Sequence, residues 1–86
     1  VASVAELKAA IDAALQQIGE GQTAVQAASE KLTEAQQTLA GALEGSGHEM
    51  VDAAQSALTQ AAQELEECLA ATLNAVEQAQ QYMATL

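Results

Sequence analysis

"GALEGSGHEM", residues 41–50, holds three of the five glycines and the only histidine of an 86-residue chain, and it lies near the middle of that chain. Glycine is the residue that most readily ends a helix, in the left-handed conformation just past its last turn. Serine with a glutamate three residues later is the capping box that starts one. Gly45 therefore reads as the end of one helix and Ser46, with Glu49, as the cap of the next. Gly45, Ser46 and Gly47 are the expected turn residues, with 45–46 between the two helices and the centre of the reversal between Ser46 and Gly47. Ser3 with Glu6 forms the same box at the start of the chain. Two near-equal helices follow, over about 4–44 and 47–85, each about 60 Å long at 1.5 Å per residue.

The flanking sequence supports this. Proline is absent, and Ala, Gln, Glu and Leu, all good helix formers, dominate. Large apolar residues recur every seven positions in the first half: Val4, Ile11, Ile18, Val25, Leu32 and Leu39. With these as heptad position a, position d reads Leu7, Ala14, Gly21, Ala28, Ala35 and Ala42, a coiled-coil seam with one large and one small column. The second half repeats it, with Val51, Leu58, Leu65, Thr72, Ala79 and Leu86 against Ala54, Ala61, Cys68, Ala75 and Tyr82.

The columns interlock when facing residues have numbers summing to 93. Leu39 then meets Ala54, Leu32 meets Ala61, Val25 meets Cys68, Ile18 meets Ala75 and Ile11 meets Tyr82. The alternate layers pair Ala42 with Val51, Ala35 with Leu58, Ala28 with Leu65 and Gly21 with Thr72. Large opposite small is what interdigitating layers require. The same register brings Lys31 near Glu64 on the flank, a surface ion pair worth little by itself. "IGEGQT", residues 18–23, offers a competing reversal, with Thr23 and Gln26 as a cap. The seven-residue spacing runs through it from Ile18 to Val25, so the expectation is a continuous, locally soft helix in which Gly21 makes room for Thr72.

The fold class is thus all-α: an antiparallel two-helix hairpin, coiled-coil-like, with an alanine-rich seam. Most of its hydrophobic residues are alanine and it has no Phe or Trp, so the burial available to 86 residues is modest and a second chain is expected to contribute. Away from the turn, bulk moves to the e positions: Leu15 on the first helix, and Leu69, Val76 and Met83 on the second. These lie on one side of an antiparallel pair, and an exposed apolar strip there is expected to be an oligomer interface. The expected partner is another copy, giving a dimeric four-helix bundle, or a similar hairpin.

Twelve acids against Lys8 and Lys31 leave a net charge of −10, which disfavours nucleic acid and anionic membrane surfaces. No apolar run approaches the roughly 20 residues of a membrane span, and no cleavable secretory signal is evident. Val1 in place of a methionine implies an altered or trimmed start. The sequence does not fix the location; the two expected alternatives are the cytoplasm, or export without a cleavable signal peptide.

No catalytic, cofactor or metal set emerges, and no small-molecule substrate is expected. "HEMVD", residues 48–52, has Asp52 where the zinc-binding His-Glu-x-x-His helix has its second histidine, so His48 reads as a solvated tip residue. Glu49 and Asp52 suit the positive end of a helix dipole. Cys68 follows Glu66 and Glu67, anions that oppose thiolate formation, and reads as seam filler. Tyr82, opposite Ile11, reads as an amphipathic end-plug.

Two helices joined by a tight glycine-containing turn in an acidic, Ala- and Gln-rich chain resemble the WXG-motif family of type VII secretion substrates. Gly45, Ser46 and Gly47 stand where that family has its tryptophan-x-glycine turn, and Tyr82 matches the tyrosine of its export signal, with Leu86 in place of the acid. The segments "ELKAAIDAALQQ", "LAGALEGSG" and "QAQQYMATL" also look like small helical-hairpin proteins of actinobacteria and the N-termini of some polymorphic toxins. These resemblances imply a non-enzymatic pairing or targeting module, with export as the alternative role.

Overall fold

The computed structural model describes residues 3–42 and 49–86. They form two helices, α1 (Val4–Ala42) and α2 (Glu49–Ala84), packed against each other as a rod of 64 × 18 × 15 Å. The turn residues Gly45, Ser46 and Gly47, the second capping box and His48 lie outside the described residues.

Helix α1 starts as its first residues direct. Ser3 Oγ accepts a hydrogen bond from the Glu6 backbone N–H at 3.1 Å, and the Ser3 carbonyl accepts one from Leu7 N–H at 2.9 Å. One otherwise orphaned N–H of the first turn is thereby satisfied by a side chain. The helix then runs unbroken through Gly19 and Gly21. Thr23, the candidate cap of a broken helix, instead bonds back to the Gly19 carbonyl at 3.2 Å, as threonine does inside a continuous helix.

The antiparallel arrangement shows in the hydrogen bonds that cross between helices. Gln22 Nε2 donates to Thr72 Oγ1 at 3.2 Å, and Gln36 Nε2 donates to Thr59 Oγ1 at 3.0 Å. Gln55 Nε2 donates to the Gln36 carbonyl at 3.0 Å, and Thr59 Oγ1 to the Gln55 carbonyl at 3.0 Å. Near the turn the two helices are thus held by a closed loop of amide and hydroxyl groups.

Half-buried residues trace the seam. On α1 they include Ile11, Leu15, Ile18, Gln22, Val25, Ser29, Leu32, Gln36 and Leu39. On α2 they include Val51, Gln55, Leu58, Ala62, Leu65, Leu69, Thr72, Val76, Ala79 and Met83. Their alternating spacing of four and three is a heptad seam made of positions a and e, not a and d. Ala14, Gly21, Ala28, Ala35 and Ala42 are exposed, as are Ala54, Cys68, Ala75 and Tyr82. Leu7 and Ala61 of the same column stay half-buried, while the other expected large-to-small layers are rotated out of the interface.

The three bonds across the seam join residues whose numbers sum to 94, 95 and 91, and a seam of a and e positions on both antiparallel helices pairs each a with an e at a sum of 94. That register sets Ile11 against Met83, Leu15 against Ala79, Ile18 against Val76, Val25 against Leu69 and Ser29 against Leu65. The reason for the rotation is bulk. Fully burying a Leu, Val or Met is worth about 1.5–3 kcal/mol, more than alanine can contribute. On α2 the e column offers Leu69, Val76 and Met83 where the d column offers Cys68, Ala75 and Tyr82. On α1 the e column brings Leu15 together with Gln22 and Gln36, whose amides find partners across the seam. Such bonds contribute about 0.5–1.5 kcal/mol each and, being directional, pin the register.

Gly21 has no role against Thr72: a Cβ built at Gly19, Gly21 or Gly41 meets nothing within 4 Å. A helical glycine costs about 0.8–1 kcal/mol relative to alanine. Gly19→Ala combined with Gly41→Ala is therefore expected to stabilise the fold by roughly 2 kcal/mol. A thermal melt followed by circular dichroism reads this, and an unchanged or lowered midpoint would show that both sites need a freedom the hairpin does not reveal.

Candidate functional site

The four residues expected to form an open apolar strip, Leu15, Leu69, Val76 and Met83, are all half-buried on the seam. Leu69 shares a groove with Val25 and Ser29 of the opposite helix. All four lie along the contact between α1 and α2 and keep part of their surface exposed there.

The groove is a shallow opening of about 430 Å³ beside the seam, lined by Val25, Gln26, Ser29, Glu30, Leu65, Glu66 and Leu69. It exists because a layer of Ser29 against Leu65 is too thin to fill the space between helices. Its floor is aliphatic, and its rim carries the exposed carboxylates of Glu30 and Glu66. Such a groove can hold an aliphatic stem ending in a cation.

Cys68 is a free thiol and is exposed, on the face that the rotated seam leaves uncovered, so it does not fill the core. Tyr82 is 52% exposed and so does not plug the end of the seam, whereas its neighbour Met83 is half-buried. Lys31 pairs with Glu34 one turn along its own helix, at 3.1 Å, rather than with Glu64. Glu64 accepts a hydrogen bond from Gln60 Nε2 at 3.2 Å. Both arrangements are local, because α1 and α2 carry Lys31 and Glu64 on opposite outer edges of the hairpin.

No cluster of His, Cys, Asp and Glu able to hold a metal ion occurs among the described residues, and no helix there is long and apolar enough to cross a membrane. The other large apolar side chains that stand exposed among the described residues, Val4 at 53%, Met50 at 75%, Leu73 at 57% and Leu86 at 36%, are scattered along the rod. What the rod presents is surface: no described residue is fully buried.

Sequence reasoning missed the glutamines of the seam, Gln22, Gln36 and Gln55. Their signal was positional, since each stands four residues after a large residue at position a: Ile18, Leu32 and Val51. No protein-family model, curated protein or solved structure matches the chain.

Proposed function

We propose that this chain is a non-enzymatic helical-hairpin interaction protein, which completes its burial by associating with further helices, most simply as a homodimer that forms a four-helix bundle. The observation that carries this reading is the exposed area. The hairpin exposes 6177 Å², and no described residue has a fully buried side chain. A globular monomer of its mass would expose about 4,800 Å². The surplus of about 1,400 Å² exceeds the roughly 800 Å² that each partner buries in a standard interface.

Sedimentation equilibrium tests this. The expected result at micromolar concentration is a species of twice the 8.8 kDa chain mass, with a melting midpoint that rises with protein concentration. A monomer that keeps its full helicity on dilution would refute self-association.

A further inference from the structure

The rotated seam leaves one broad face of the hairpin uncovered, made of positions d and g of both helices. In an antiparallel pair these columns lie on the same side. Gly21, Ala28 and Ala35 are there on α1, with Cys68 and Ala75 beside them on α2, all exposed. Among the charged residues of the described helices, only Lys31 and Glu64 fall on this face. The rest of the chain's charge, which totals −10, is carried by other columns. Small side chains let helix axes approach to about 8 Å, and at Gly21 even a Cβ is missing with nothing of the hairpin to account for it.

We propose that this face docks a second copy of the chain about a two-fold axis parallel to the rod, with the two turns at the same end. This rests on the reading that the chain self-associates and adds to it the surface and the geometry. Rotation about that axis lays α1 of one protomer on α2 of the other without changing the height of any residue. Lys31 faces the level of residue 63 in the register that Gln22 and Thr72 define. It therefore comes within one residue, a rise of about 1.5 Å, of the height of Glu64 of the partner subunit. The symmetry forms this pair twice. Stacking α1 on α1 instead, with the turns at opposite ends, forms neither pair.

Rim charges of this kind select orientation and partner more than they add affinity. The same stacking points the acid-bearing columns of both protomers outward. A second copy thereby meets the one surface of this acidic chain on which it is not repelled. The unfilled area of the monomer, 6177 Å² exposed against about 4,800 Å² for a compact chain of this mass, is enough for such an interface.

Native Cys68 supplies the test. In the docked pair Ala28 lies over the partner's Cys68 within two residues of the same level. Within one hairpin the two side chains point off the same face, side by side. Ala28→Cys, oxidised and run on a non-reducing gel, is expected to become a covalent dimer. Gln26→Cys, on the opposite flank by the groove, is expected to stay monomeric on the same gel, as is the wild type. Each variant's helicity and sedimentation are measured first. If the variants sediment as dimers but Gln26→Cys is the one that cross-links, or Ala28→Cys closes only within its own chain, the docking face is wrong and self-association stands. If every form sediments as a helical monomer, both proposals fall.

Discussion

Leu69→Glu is expected to unfold the hairpin rather than merely separate two folded copies. Leu69 faces Val25 across the seam and forms part of the groove floor with Leu65. Leu69 is half-buried, so losing it removes part of the about 1.5–3 kcal/mol that full burial of such a side chain is worth. The new carboxylate is placed beside Glu66, on the groove that Glu30 also lines, where it is partly desolvated and repelled. Removing a large side chain from a packed site and burying an unpaired charge are each among the changes that cost several kcal/mol. Small domains have about 5–15 kcal/mol in total, and this one, with no buried residue among those described, belongs at the low end. The far-ultraviolet helical signal at 25 °C should fall to a minor fraction of the wild-type value. A variant that stays as helical as the wild type and differs only in sedimentation would return Leu69 to the open flank where its spacing first suggested it.

The melting midpoint is expected to rise by about 10 °C between about 10 mM and about 150 mM sodium chloride, as the Debye length falls from about 30 to about 8 Å. The cause is crowding of like charge. Glu30 with Glu34, Glu49 with Asp52, and Glu64 with Glu67 are acid pairs three or four apart on one helix, each unfavourable by about 0.2–0.5 kcal/mol. Glu30 and Glu66 add repulsion across the groove between helices. The one described ion pair that salt weakens, Lys31 with Glu34, is largely exposed and contributes little. Summed with the general self-repulsion of a −10 chain, screening is worth roughly 2 kcal/mol. Glu30→Gln combined with Glu66→Gln should raise the midpoint at low salt and shrink the response. A midpoint independent of salt would mean that the carboxylates are already spaced beyond one another's reach.

Much of the architecture was legible from residue order alone. The a columns, Ile11 to Leu39 and Val51 to Ala79, are where the seven-residue spacing puts them, and the facing register differs from expectation by a single residue. The Ser3 cap and the continuous passage through Gly19 and Gly21 also follow from local rules. What periodicity does not decide is which neighbour of the a column turns inward. Positions d and e flank it at similar angles, so a helix can roll from one to the other without changing its period. The outcome depends on summed side-chain bulk and on whether the polar members find partners. Here Gln22, Gln36 and Gln55 do, through bonds invisible until both helices are placed. The candidate strip of Leu15, Leu69, Val76 and Met83 likewise lies along the seam, each residue half-buried and so partly open to solvent.

The uneven make-up of the seam bears on the order in which the hairpin assembles. Gln36 and Gln55, near the turn, are 19 residues apart, whereas Gln22 and Thr72 are separated by 50, with the aliphatic layers of Ile18 and Ile11 farther out still. Chain-closure entropy grows only with the logarithm of loop length, so pairing first at the wider separation costs about 0.9 kcal/mol more. A single aliphatic layer outweighs that difference. Loop entropy therefore does not oblige the helices to zip outward from the Gln36 and Gln55 end: the layers of Ile18 and Ile11 can meet first, so either end of the seam can lead assembly.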